Sequence, residues 1–77
     1  MKPRIICDPN IMVGKPTIEG TRLTVEFVLE ILAEDHPIEE LLYQYPTLSR
    51  EGIHAALEYA AAVFRREQPL PVYRKAA

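Results

Sequence analysis

Cysteine occurs once in these 77 residues, at Cys7, so no disulfide within the chain can staple the fold. Its neighbours Ile5, Ile6 and Asp8 mark it as a small strand residue and not as a reactive thiol. Histidine occurs twice, at His36 and His54, and no two of these three side chains have the spacing of metal ligands. No metal site is therefore expected. No apolar run approaches the ~20 residues that a membrane helix needs. The run after Lys2 and Arg4 stops at Asp8, too soon for a secretory leader. The expectation is a cytoplasmic protein without membrane contact. Glycine is scarce as well, with only Gly14, Gly20 and Gly52.

Those absences also remove enzyme readings. Gly14-Lys15 has the look of a phosphate loop, which requires a glycine five residues before Gly14 and a Ser or Thr after the lysine. Pro9 and Pro16 stand at those positions. No nucleophile, base and orienting group are grouped, and so short a chain leaves little room for a cleft that excludes water. Glu39-Glu40 and Asp35-His36 read as solvated charges at a helix start. Neither catalysis, a cofactor nor a small-molecule substrate is expected.

What is present is a small apolar domain with its charges sorted along the chain. Hydrophobic residues make up 48%, enough for a core, but a single core of this size contributes only a few kcal/mol. Help from a second copy or another partner is therefore expected. Residues 1–25 hold four basic and two acidic side chains, residues 26–45 six acidic and none basic, residues 46–77 five basic and three acidic. The acidic centre repels phosphate, so any contact with nucleic acid must come from the flanks.

Two short β-compatible runs, Arg4-Ile5-Ile6-Cys7-Asp8 and Pro16-Thr17-Ile18, are stopped by Pro9-Asn10 and by Glu19-Gly20. A two-stranded ribbon is marginal in water, so this arm must pack on helices or pair further. Thr24 is a good N-cap for helix 1, with Glu26 in the first turn. Val25, Val28, Leu29 and Leu32 line one face of that helix, and Phe27 with Ile31 adds a second apolar face. Helix 2 carries Ile38, Leu41, Leu42 and Tyr45 and must stop before Pro46. Ser49 caps helix 3, expected over 50–66, with Ile53, Ala56, Leu57, Ala60, Ala61 and Phe64 facing inward. Pro69 and Pro71 then impose an extended tail. The expected division is a domain at 1–66 and a tail at 67–77. The expected class is mainly α: a three-helix, helix-turn-helix domain with a short N-terminal β-arm and an extended C-terminal tail.

The densest signal is the turn-rich stretch between the two apolar halves of the chain. Gly14 and Gly20 tolerate positive φ, and Pro16 favours an extended backbone. Gly14, Pro16, Gly20, Thr21 and Arg22 thus read as a structural clasp. For Arg22 the first expectation is a fork paired with Asp8 or Glu19, or bound to helix-end carbonyls. The alternative is a phosphate or a partner carboxylate. Lys15, on a flexible stem, is the better candidate for DNA contact. Arg50 and His54, outward at the start of helix 3, complete that candidate set, although Glu51 and Glu58 dilute the basic character of the helix.

Ile6-x-Asp8-Pro9-x-Ile11, Gly14-Lys15-Pro16-x-Ile18-x-Gly20-Thr21-Arg22-Leu23-x-Val25, Tyr45-Pro46-x-Leu48 and Ile53-x-Ala55-Ala56-Leu57-x-Tyr59-Ala60 together resemble the short prokaryotic proteins of the domain of unknown function 433 family. The resemblance implies a homeodomain-like fold, often dimeric, and a VapB-like antitoxin role beside a PIN-like ribonuclease toxin. In that reading the tail lies along the toxin with Leu70, Val72 and Tyr73 as anchors. Promoter DNA is a further implied partner, for autoregulation. The alternatives are a stand-alone DNA-binding regulator and a small dimeric adaptor. The chain departs from the family's usual pattern at Asp35-His36-Pro37, where a glycine is common, and at Gly52, where an acidic residue is common.

Overall fold

The computed structural model describes residues 2–68 and 71–75. Strand β1 (Ile5–Cys7) is followed by a tight turn at Met12–Gly14, strand β2 (Thr17–Ile18) and helices α1 (Val25–Ala33), α2 (Ile38–Gln44) and α3 (Arg50–Phe64). Strand β3 (Val72–Tyr73) closes the described order.

The helices begin where their caps demand. The Thr24 hydroxyl accepts the Phe27 N–H at 3.0 Å, and the Ser49 hydroxyl accepts that of Gly52 at 3.0 Å. Each bond satisfies a donor that has no partner within its own helix. Helix α2 ends at Gln44, two residues before Pro46. Helix α3 ends at Phe64, earlier than residue 66, and Arg66 takes a left-handed φ of 58° just beyond it.

The mainly α expectation is wrong, and the sheet is the reason. Strands β1 and β2 pair antiparallel with Ile5 opposite Ile18, and β3 pairs parallel to β1 with Ile6 opposite Val72. The order β2-β1-β3 makes one mixed three-stranded layer, so the fold is an α/β mix with both flanks of the chain in its sheet. The segment expected to be an extended tail is tied down by the Arg74 N–H, which donates to the Cys7 carbonyl at 2.8 Å. The physical cause is the free edge of β1, whose unpaired backbone groups take up any extended segment that reaches them.

The core lies where this sheet meets the helices. Ile5 and Ile18 from the strands pack with Val25, Val28 and Ile31 of α1, Leu41 of α2, Leu48, and Ile53, Ala55 and Ala56 of α3. Phe27 and Tyr45 add an edge-to-face pair at 5.6 Å between ring centres. Gly52 is buried because a Cβ there would lie 3.3 Å from Ile18 Cγ2, so its small size lets β2 approach α3.

The clasp is held mostly by backbone. The Val25 N–H donates to the Pro16 carbonyl at 2.9 Å, and the Ile18 N–H to the Leu23 carbonyl at 3.0 Å. The Thr21 hydroxyl donates to the Ile18 carbonyl at 2.8 Å and accepts the Leu23 N–H at 2.9 Å. Gly14 and Gly20 adopt φ of 81° and 83°, a region that other residues enter only with strain. Val13, with φ of 57°, carries such strain at the tip of the preceding turn.

Candidate partner-binding groove

Helices α1 and α3 pack on each other but differ in length, 9 residues against 15, or about 14 Å against about 22 Å. The last turns of α3 leave Val63 and Phe64 exposed. Between them and α1 lies an open groove of about 630 Å³, lined by Val25, Leu29, Tyr59, Ala60, Val63 and Phe64. Lys15 and Pro16 also line it, and the exposed Glu26 and Glu30 stand along the rim.

This groove corrects the inward face expected for α3. Ile53 and Ala56 are buried as expected, but Leu57 is 43% exposed and Phe64 87% exposed, with Val63 beside it at 51%. Gly52 and Ala55 take the buried positions nearer the helix start. A helical period identifies a stripe without saying where along the helix its support stops. The one signal available in the sequence was the greater length of helix 3. Burial in the groove wall raises the Tyr59 hydroxyl pKa above its ordinary value.

The residues proposed for DNA contact are spread over the surface and mostly neutralised. Lys15 lies 3.5 Å from Glu26, and Arg50 donates to Glu39 at 3.0 Å. A hydrogen bond from its own backbone at the start of α2, and then the Arg50 guanidinium, hold the Glu39 carboxyl below its ordinary pKa. His54 is exposed on α3, four residues after Arg50. Lys2 pairs with Glu58 on the same helix. Lys15, Arg50 and His54 thus form no single basic face among the described residues.

Arg22 departs from its structural expectation. Arg4 occupies Glu19 at 2.6 Å, and Arg74 reaches Glu19 at 3.4 Å and Asp8 at 3.7 Å. The side-chain hydrogen bond from Arg4 is the main cause of a Glu19 pKa lowered to about 2. The exposed Arg22 has neither an ion pair nor a side-chain hydrogen bond among the described residues. Of the tail anchors, Val72 is half-buried in β3 and Tyr73 is 77% exposed, while Leu70 lies outside the described residues.

Comparison with known proteins gives a family without an activity. An uncharacterised protein, y4eO of Sinorhizobium fredii (strain NBRC 101917 / NGR234), is 36% identical over 58 residues, which are 75% of this chain and 26% of that protein. The chain thus spans about a quarter of that relative's length. No solved structure matches. Among the described residues, no helix is long and apolar enough to cross a membrane. The family described as "Protein of unknown function (DUF433)" matches residues 5–60, from β1 through the greater part of α3, and this chain belongs to it.

Proposed function

We propose that this chain is a protein-binding module of the antitoxin type, which seats a partner's amphipathic helix in the groove between α1 and α3. The partner in this reading is a PIN-like ribonuclease, and blocking is steric, with no bond made or broken. The observation that carries the reading is the apolar groove itself, with Val63 and Phe64 exposed on one wall and Glu26 and Glu30 on the rim. Apolar anchors on an incoming helix would fill it, and basic residues beside those anchors would meet the two carboxylates. Lys15 offers little competition, because an exposed pair at 3.5 Å is weak. A basic surface is what an RNA-cleaving partner presents to its substrate, so occupying it also explains inhibition.

This reading puts the principal contact on the groove, with β3 paired at the edge of the sheet. A cytoplasmic location accompanies it. DNA-binding autoregulation is disfavoured by the scatter of Lys15, Arg50 and His54 over separate elements, with Glu39 paired to Arg50.

The test is co-expression with the product of the adjacent gene, followed by calorimetric titration of the purified pair. Phe64→Ser is expected to weaken binding roughly tenfold or more, since a buried aromatic anchor dominates such interfaces. Unchanged affinity in that variant overturns the groove as the site. Light scattering of the isolated chain provides a second arm. A dimer that Phe64→Ser dissociates makes a second copy the occupant instead, and the chain then reads as a dimeric adaptor.

A further inference from the structure

We propose that a second cleft, built by the Gly20-Thr21-Arg22 turn and the segment after β3, binds a phosphate group carried on a small organic molecule. The cleft has a volume of about 460 Å³ and shares no lining residue with the groove. The proposal is therefore independent of the partner-helix reading.

The strand alternation builds its floor. Ile5 belongs to the helix-facing core, whereas Ile6, the next residue along β1, points to the other face of the sheet. Ile6, only 1% exposed, and Ile11 line the cleft beneath Thr21, Arg22, Thr47 and Arg74. Chain segments distant in sequence thus bring Arg22 and Arg74 to one cleft with an apolar base.

Among the described residues, no carboxylate pairs with Arg22. Both nearby carboxylates are engaged by other arginines, Glu19 by Arg4 and Arg74, and Asp8 by Arg74. Arg74 is bracketed at 3.4 Å and 3.7 Å, contacts that orient its fork without exhausting its donors. The Thr47 hydroxyl has no hydrogen-bond partner among the described residues. Thr21 is different, because its hydroxyl proton already goes to the Ile18 carbonyl. The free donors are therefore the Arg22 fork, the Thr47 hydroxyl and the remaining N–H groups of Arg74.

The distribution of the donors over separate elements favours phosphate over carboxylate. A single arginine fork satisfies a planar carboxylate from one side. A tetrahedral phosphate has oxygens in more than one plane and takes donors from separate elements, as here from the clasp, the α2–α3 connection and the end of β3. The Ile6 and Ile11 floor suits the carbon skeleton that carries the phosphate.

The experiment is an NMR titration of the full chain, following backbone amides and arginine Nε–H groups. Inorganic phosphate is the probe, with acetate at equal ionic strength as the carboxylate arm. Phosphate is expected to give saturable shifts at Gly20, Thr21, Arg22 and Thr47, several-fold tighter than acetate. Arg22→Gln is expected to weaken binding roughly tenfold, because it removes a charge-assisted pair. Arg22→Lys keeps the charge but loses the fork, and an intermediate affinity is expected. Both variants are expected to retain the native melting temperature, since the Arg22 guanidinium makes no ion pair or side-chain hydrogen bond among the described residues. Shifts that never saturate, or equal affinity in Arg22→Gln, overturn the site. Acetate binding as tightly as phosphate overturns the ligand class. Phe64→Ser is expected to leave phosphate binding unchanged, so failure at the groove and failure here are read separately.

Discussion

Replacing Gly52 sets the local preference of a helix against the packing of the whole fold. Gly52 is the third residue of α3, and its N–H is already held by the Ser49 hydroxyl. Helix propensity alone favours alanine there by up to about 1 kcal/mol, partly through a less flexible unfolded chain. The structure opposes that gain, because a Cβ lands 3.3 Å from both Ile18 Cγ2 and Ser49 Oγ. Ile18 is 2% exposed and cannot retreat into solvent. Gly52→Ala is therefore expected to fall within about 1 kcal/mol of the parent, as the two effects offset. Leucine has nearly the same helix propensity as alanine, so comparing the two substitutions isolates packing. Three further carbons pressed against β2 are expected to cost Gly52→Leu about 1–3 kcal/mol relative to Gly52→Ala. Urea unfolding followed by circular dichroism at 222 nm measures this directly. With a slope of about 1 kcal/mol/M for so small a domain, the midpoint is expected to drop by about 1–3 M. If Gly52→Leu matches Gly52→Ala at equal slope, the account of α3 resting on Ile18 is refuted.

Two further outcomes probe the cap and the clasp. Thr24→Ala removes the hydroxyl that caps α1 and is expected to cost about 1 kcal/mol, measured by the same unfolding; no loss means that another group caps the helix. Glu19 titrates at about 2 in the folded state against an ordinary 4.5, chiefly because Arg4 donates to its carboxylate. Its stabilisation is therefore complete above 4.5 and lost as pH falls through about 2. Glu19→Gln is expected to flatten stability across that interval, and a carboxyl carbon NMR titration with a midpoint near 4.5 in the parent overturns the Arg4 pairing.

The helix starts were legible because capping is local. Thr24 and Ser49 each need only the N–H three residues ahead, and Pro46 stops α2 by its own ring. The positive φ of Gly14 and Gly20 is legible for the same reason. The α3 burial pattern was legible only in its first half, where Ile53 and Ala56 meet the sheet. Phe64 has the right period and is nevertheless 87% exposed, since periodicity carries no information about what a neighbouring element covers. Arg22 shows the corresponding limit for charge. Its candidate carboxylates were named from the sequence, but which of three arginines reaches them depends on where β1 and β3 place Arg4 and Arg74.

The sequence by itself determined the family, the three helices, two of the strands and the left-handed turns, because each rests on interactions a few residues apart. The tertiary structure alone decided that Val72 and Tyr73 join β1, which turned an expected helical domain with a tail into an α/β fold. It also decided that Gly52 seats Ile18, that Phe64 stands exposed over a groove, and that Arg22 lines a cleft with no ion pair among the described residues. Those outcomes depend on long-range backbone pairing and on competition among like residues for the same partner. Neither is encoded in any one stretch of the chain.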